Sequence, residues 1–201
     1  MNFEPFKTIS PFAGLFNVDS RGYTQGVALD DPATRLQLCS GTVSSDFPYP
    51  LWGGVAVIEA IPKEEDSVAG SNIMMATATT CNAFTVFNQG YHGVSTANNA
   101  VPIYPQGGSV HYYRIGSGAR IPLRISAAVA ALATGTGPVG ANSFAWDISN
   151  HFVDVDSGDA TEPKLNISLL SVSSNGITAS RNSNTDETFW MSGQPIGLFM
   201  I

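Results

Sequence analysis

The 201-residue sequence predicts one all-β domain, a sandwich or a barrel, preceded by an extended irregular arm. Two observations support this fold class. Short runs of β-branched and aromatic residues follow one another after residue 50, separated by Gly, Asn, Ser, Asp and Pro. By contrast, no stretch of the first 50 residues keeps an apolar period of 3.6 or 2 for more than a few positions. We therefore assign the arm to residues 1–50 and the β domain to residues 51–201.

The predicted arm combines Pro and Gly with many aromatic side chains. Prolines resist both a helix and a central strand, so an extended path is expected. Because aromatic rings gain free energy on burial, the arm should lie on a surface, either that of a neighbouring subunit or that of its own domain. The phenylalanines that we expect to make this contact are Phe3, Phe6, Phe12 and Phe16.

Strands become readable from Leu51 onward. Gly116-Ser117-Gly118 joins two of them and predicts a β-hairpin, whereas "SAAVAALATGTG" fits either a short helix or a strand. The apolar end of the sequence predicts a last strand that is paired in a sheet or lies in a subunit contact. In chain order, the runs predicted as strands are "LWGGVAVIEAI", "IMMATATT", "NAFTVFN", "SVHYYRI", "ARIPLRI", "NSFAWDI", "KLNISLLSV", "GITASR", "ETFWM" and "IGLFMI".

Charge and hydropathy exclude several classes of partner. The formal net charge is −7, and a nucleic-acid binder needs a basic face, so no nucleic acid is expected. No apolar run approaches the roughly 20 residues of a membrane span, so no membrane is expected. The first residues lack a basic start followed by an apolar stretch, and the chain should therefore stay in the compartment where it is made.

Residues that could support catalysis or bind a cofactor are scattered. We find no GxSxG, P-loop or dinucleotide-binding pattern, so neither an enzyme nor a cofactor is predicted. The acids of "DVDSGDATE" depart from the calcium-loop spacing and are more typical of turns than of a metal site. Cys39 and Cys81 have no CxxC spacing, and two buried reduced thiols are favoured over a disulfide. The histidines, each without a nearby ligand or catalytic partner, are His92, His111 and His151.

Three of the nine Lys and Arg residues fall within eleven positions: Arg114, Arg120 and Arg124. No Asp or Glu occurs from Ser67 to Trp146, so their carboxylate partners must be distant in sequence or belong to another subunit. In "ARIPLRI" the arginines alternate with aliphatic residues, and Pro122 predicts an edge strand. Since a guanidinium can bind a carboxylate through two bonds, we expect at least one arginine to contact a partner. The alternative is pairing with acids of the same chain, for instance those at 154–162.

The stretch "AFTVFNQGYHGVSTANNAVPIYPQGGSVHYYRIGSGARIPLRI" resembles the middle of the capsid cement (decoration) proteins of tailed bacteriophages. The similar features are the "VFNQ" strand, the "VPIYPQGGSV" approach and the "YYRIGSGARIPLRI" segment. The resemblance covers residues 70–130, with a looser match at "GLFMI". It is carried by a β pattern with a distinctive Arg and Gly arrangement rather than by a catalytic signature.

This resemblance implies a jelly-roll-like β-sandwich without enzymatic activity, bound to the outside of an HK97-type phage head between capsomers. The implied partners are the major capsid protein and the chain itself, as a homodimer or homotrimer. The implied location is the outer capsid surface of the virion, after synthesis in the host cytoplasm. The alternative is a carbohydrate- or host-binding β-sandwich of a phage tail or spike, with a surface platform formed by Trp52, Trp146 and Trp190.

Overall fold

The computed structural model describes residues 23–29, 32–62, 70–87, 101–134, 143–182, 185 and 187–201. In these ranges the chain is mostly strand, which confirms the all-β class. Two short α-helices are present, α1 (Pro32–Arg35) and α2 (Ala127–Ala131), and a 3-10 turn at Leu132–Thr134 follows α2. The strands are β1 (Cys39–Val43), β2 (Ala56–Ala60), β3 (Ser71–Met75), β4 (Ala83–Val86), β5 (Ser109–Arg114), β6 (Arg120–Arg124), β7 (Phe144–Asp147), β8 (Phe152–Val155), β9 (Lys164–Leu165), β10 (Ser168–Arg181) and β11 (Thr188–Met200).

Five strands form a closed barrel in the order β1-β3-β2-β4-β5. β1 and β3 are parallel, and the other neighbours are antiparallel. Alternation along β2 and β5 places Val57 and Val110 inside the barrel, where both are fully buried. The strands that the sequence predicts at 51–61, 73–80, 82–88 and 109–115 are confirmed in position, although each is shorter than its predicted run.

A second sheet has the order β10-β11-β6 and a third has the order β8-β7-β9. Aromatic pairs join the third sheet to the barrel and the second sheet to the third, so that all three share one core. Phe84 of the barrel meets Trp146 edge to face at 5.7 Å, and Phe144 meets Phe199 at 5.3 Å. The described residues thus form a barrel with two attached three-stranded sheets.

The end of the chain lies in the middle of the second sheet. β11 pairs with β10 on one side and with β6 on the other, which confirms the prediction that the last strand is paired. After the strand ends, the backbone N–H of Ile201 donates to the carbonyl of Ala119, and the carbonyl of Ile201 accepts from Gly118. Since these bonds are all within one chain, the backbone at the end of β11 needs no subunit contact to be paired.

The hairpin predicted at Gly116-Ser117-Gly118 is wrong. β5 pairs with β1 and β4 in the barrel, whereas β6 pairs with β11 in the second sheet, so the chain changes sheets between them. Gly116 and Gly118 do have the positive φ angles, 96° and 75°, that a tight connection needs. The glycines therefore bend the chain as expected. After the bend, however, β6 pairs with β11 instead of turning back to pair with β5.

The predicted arm at 1–50 is corrected in its second part. β1 is a barrel strand that pairs with β3 and β5, and Phe47 is buried in the core. An arm that ends at residue 50 is therefore inconsistent with the structure of residues 39–50. The four predicted contact residues Phe3, Phe6, Phe12 and Phe16 lie outside the described residues, so the arm stays a prediction there.

Segment 23–29 joins the barrel to the second sheet. Gln25 is fully buried, and its side-chain Oε1 accepts from the backbone N–H of Ala179 at 3.0 Å. Its Nε2 donates to the carbonyls of Gly53 and Gly54, at 3.4 and 3.2 Å. One buried amide side chain thus bonds to the backbone of β10 and to the turn that precedes β2, and it fixes residue 25 between them.

α2 settles the segment that the sequence left between helix and strand. It begins after Ser126, whose hydroxyl oxygen accepts from the Val129 backbone N–H at 3.2 Å, the usual N-cap arrangement. The Ser126 hydroxyl also donates to Asp154 Oδ1 at 2.6 Å, which ties the helix start to β8. The helix alternative is therefore the right one for residues 127–131.

Candidate binding surfaces around the arginines

Arg114 lies at one end of the barrel. It follows Val110 and Tyr112 on the inward face of β5, and Glu59 follows Val57 on the inward face of β2. Arg114 Nε donates to Glu59 Oε2 at 2.5 Å, and its Nη2 donates to Oε1 at 2.6 Å. The hydroxyls of Tyr112 and Ser71 also donate to Oε1, each at 2.7 Å. Together these four side chains close the barrel end with a hydrogen-bonded network.

This network fixes the protonation of Glu59. The hydrogen bonds from Arg114 lower the pKa of the Glu59 carboxyl to about 2, against the opposing effect of partial burial. Glu59 is therefore ionised over the physiological pH range. For Arg114 the sequence alternative of an acid in the same chain holds, and the acid is Glu59 rather than a member of the 154–162 cluster.

A shallow groove of about 450 Å³ adjoins Arg114. Its lining is unusual for a monomer surface because Leu36 is 90% exposed and Leu38 is 39% exposed. The Arg114 side chain, although paired, is itself 60% exposed. The remaining lining residues are Gln37, Cys39, Ile115, Gly116 and Ser117.

Arg120 lies in a second exposed region, on the outward face of β6. It pairs in register with Met200 of β11 on one side and with Leu29 on the other. Residues directly opposite one another in a sheet share a face, so the three side chains form a row. Leu29 is 36% exposed and Met200 is 42% exposed, so the arginine is flanked by accessible apolar side chains.

The predicted alternation along β6 is confirmed. Ile121, Leu123 and Ile125 are buried, whereas Arg120 and Arg124 are half-buried on the other face. β6 is also the last strand in its sheet, as Pro122 predicts. The outer edge is nevertheless covered, because the Pro122 carbonyl accepts from the Gly26 N–H at 2.9 Å.

Arg124 faces the turn between β7 and β8. Its Nη1 donates to the Asn150 carbonyl at 3.3 Å, and its guanidinium carbon lies 5.8 Å from the Phe152 ring centroid. Burial lowers the pKa of the guanidinium, an effect that the nearby Asp147 carboxylate opposes. Arg114 thus lies at the barrel end, whereas Arg120 and Arg124 share one face of β6, with Arg124 directed at the β7–β8 turn.

The acids at 154–162 serve the turns around them. Asp156 accepts from the Gly158 N–H at 2.8 Å and pairs with Lys164 at 2.9 Å, and Asp159 accepts from the N–H and hydroxyl of Thr161. Across the described ranges, no three His, Cys, Asp or Glu side chains are grouped as metal ligands. Their arrangement is therefore that of turn residues.

Both cysteines are free thiols, and both are half-buried. The Cys81 thiol donates to the Ala83 carbonyl, and burial raises its pKa to about 12. Cys39 lies at the groove, with its thiol directed to the Gln37 carbonyl at 3.4 Å. Cys81 is accordingly protonated at neutral pH, whereas the nucleophilic form of a cysteine is the thiolate.

The tryptophans do not form a surface platform. Trp52 and Trp146 are fully buried, with 0% and 1% exposure, and Trp190 is half-buried against Phe87 at 5.5 Å. The platform expected for a carbohydrate-binding protein is therefore absent from these three positions.

Comparisons with protein-family models, with curated proteins and with solved structures gave no match. Among the described residues, no helix has the length and apolar character required to cross a membrane.

Sequence reasoning missed Leu36, Leu38 and Glu59. The two leucines flank a glutamine in "RLQLC", a run too short to indicate exposure. Glu59 is the only acid in the predicted strand "LWGGVAVIEAI", and that isolation was a usable signal. A lone carboxylate at the end of an otherwise apolar strand needs a cationic partner.

Proposed function

We propose that this chain is a capsid cement protein that binds the outside of an HK97-type phage head and stabilises contacts between capsomers. The observation that carries the proposal is the groove beside Arg114, where exposed leucines lie next to an arginine and, among the described residues, no other charged side chain lines the groove. The sequence resemblance over residues 70–130 supplies the class of partner. The jelly-roll-like arrangement that the resemblance implies belongs to this proposal and goes beyond the all-β class.

The groove has the chemistry of a contact surface. The Leu36 side chain is 90% exposed, and an apolar side chain in water gains free energy when a partner covers it. Exposed apolar side chains grouped at one site are typical of interaction regions. Interface cores are poor in Lys, Glu and Asp but retain Arg, as in this groove. Because the Arg114 guanidinium is already oriented by Glu59, binding a partner here would order few additional bonds.

The row Leu29–Arg120–Met200 supplies a second contact. It has a similar composition, an arginine beside exposed apolar side chains, but it lies in the second sheet rather than at the barrel. Two modest contacts on one subunit, repeated over many copies, make binding strong through multivalency. The partners would be the major capsid protein and a second or third copy of this chain, on the outer surface of a virion assembled in the host cytoplasm.

The alternative, a carbohydrate- or host-binding protein of a tail or spike, has less support. Its discriminating feature was an aromatic platform at Trp52, Trp146 and Trp190, and two of these are buried in the core. A buried indole cannot stack on a sugar ring. The proposed role involves no catalysis and no cofactor.

Copy number tests the proposal most directly. We expect quantitative mass spectrometry of purified particles to find this chain at a number comparable with that of the capsid subunits. A few copies per particle would indicate a tail or spike component instead. Absence from purified particles would overturn the proposal.

Substitutions then test the two surfaces. We expect Leu36→Ser and Arg120→Ala to leave the melting temperature of the subunit nearly unchanged but to weaken its retention on capsids, with Arg120→Ala more salt-sensitive. Ile103→Ser is the matched control, because Ile103 is 47% exposed but belongs to neither surface. Equal retention of all three variants would refute the assignment of these surfaces.

A further inference from the structure

His151 occupies a constrained position in the turn between β7 and β8. Its φ angle is 57°, and among the described residues no other non-glycine has a positive φ. Its backbone N–H donates to the Asp147 carbonyl at 2.9 Å, which holds the turn closed. A side chain kept in this backbone region usually has a specific reason to be there.

The His151 ring packs on two aromatic rings from the segment that leads into β2. Its centroid lies 5.2 Å from Tyr49 and 5.2 Å from Trp52, with tilted planes. Nδ1 of His151 and Nε1 of Trp52 are shielded from solvent and have no hydrogen-bond partner among the described residues. The contact between the two segments is thus made by ring packing, and neither of these two nitrogens forms a hydrogen bond across it.

Two arginines lie close to the contact between His151, Tyr49 and Trp52. The Arg181 guanidinium of β10 lies 4.5 Å from the Tyr49 ring centroid, and Arg124 of β6 bonds to Asn150 in the same turn. The nearby carboxylate, Asp147 of β7, already accepts from Ser149 N–H, Asn150 N–H and Asn150 Nδ2, each at 2.8 Å. A protonated His151 would therefore be a third cation near a single carboxylate, and that carboxylate already accepts three hydrogen bonds.

We propose that the packing of His151 on Tyr49 and Trp52 is a pH-sensitive joint, closed by the neutral imidazole and opened when the ring is protonated. On opening, the β7–β8 turn moves away from the segment before β2, Trp52 meets water, and Arg124 loses the Asn150 carbonyl. This inference is independent of capsid binding, because it uses no residue of the groove or of the Arg120 row.

The shift in the pKa of His151 agrees with a joint that is closed by the neutral ring. Burial lowers the pKa of His151 below its usual value, and the positive charges of Arg181 and Arg124 lower it further. A hydrogen bond with the Ile148 backbone and the negative charge of Asp147 oppose this lowering without reversing it. A lowered pKa in the folded state favours the neutral ring. The stabilisation is therefore complete above the unfolded value of about 6.5 and declines as pH falls below it.

Hydrogen exchange of the wild-type chain tests the proposal without any substitution. Corrected for intrinsic rates, the opening equilibrium of residues 148–152 should rise by up to about tenfold per pH unit as pH falls below 6.5. The amides of β10 and β11 should not follow. Equal behaviour of the turn and of these strands would overturn the joint.

A variant pair identifies the titrating group. His151→Asn keeps a residue that tolerates positive φ but does not titrate, and His111→Asn is the control on β5. We expect a red shift of tryptophan emission on acidification in the wild type and in His111→Asn, and none in His151→Asn or in Trp52→Phe. A shift that persists in His151→Asn would refute the proposal.

Discussion

Glu59 and Arg114, which lie 55 positions apart in the sequence, close one end of the barrel with two parallel hydrogen bonds. This pair joins β2 to β5 across β4, which pairs with both. Since Glu59 also accepts from Tyr112 and Ser71, removing Arg114 leaves the carboxylate with two neutral donors rather than with none. The arginine is thus a strut as well as a candidate contact.

We expect Arg114→Ala to lower the free energy of unfolding by about 1 kcal/mol at pH 7, because the pair is exposed on the arginine side. Urea denaturation of Arg114→Ala, Glu59→Gln and the double variant gives the coupling energy. The pKa of Glu59 is lowered to about 2, so its contribution is complete above about pH 4.5 and is lost as pH falls toward 2. A coupling energy of zero, or one unchanged between pH 7 and pH 2.5, would contradict this account.

Gln25→Ala should be much more costly than its position in the sequence suggests. It leaves the buried Ala179 N–H and the Gly53 and Gly54 carbonyls without their partner, so we expect a loss of about 1–3 kcal/mol. Gln37→Ala is the control, because Gln37 is exposed. Equal midpoints in urea for the two variants would show that segment 23–29 contributes little to the fold.

Gly26 and Gly107 allow conformational and steric effects to be separated. Their φ angles are 73° and 72°, but a Cβ at Gly26 would lie 2.4 Å from the Gly53 carbonyl carbon, whereas a Cβ at Gly107 meets nothing within 4 Å. We expect Gly107→Ala to cost roughly 1–2 kcal/mol from the backbone alone. Gly26→Ala should cost considerably more, measured by thermal unfolding, and similar melting temperatures would disprove the close approach.

The free subunit should form a dimer or trimer at micromolar concentration in sedimentation experiments. Low charge and the exposed Leu29 and Met200 side chains favour self-association, although the backbone at the end of β11 is already paired within the chain. Leu29→Ser should shift the equilibrium toward monomer, and Ile103→Ser should not. A wild-type monomer at these concentrations would count against this prediction and, under the proposed role, would leave assembly dependent on the capsid.

Local pattern predicted the strands of this chain well, because alternation depends only on neighbouring residues. In β6, the buried Ile121 and Leu123 and the edge position of Pro122 follow directly from "ARIPLRI". β1 was missed because "CSGTV" has little apolar character and is held by β3 and β5, both distant in sequence. Its inclusion in the predicted arm was therefore an error of long-range pairing.

Turn chemistry and strand pairing are separate questions. The glycines at 116 and 118 gave the bend correctly, but the partner of β6 is β11, some seventy positions further on. The carboxylate partner of Arg114 could not be predicted either, because Glu59 lies 55 positions away, outside the acid-free interval that contains the arginine. What a residue does locally could be predicted, whereas which distant residue it meets could not.

The change of sheets between β5 and β6 sets a length. Arg114 and Arg120 belong to different sheets yet are six residues apart, so their Cα atoms are at most about 20–22 Å from each other. The backbone between them is held by Ile201, which prevents the connection from extending freely. Under the proposed role the domain is therefore a short spacer. A capsid whose two docking points are further apart than this spacer and the two side chains can reach would engage only one arginine of each subunit.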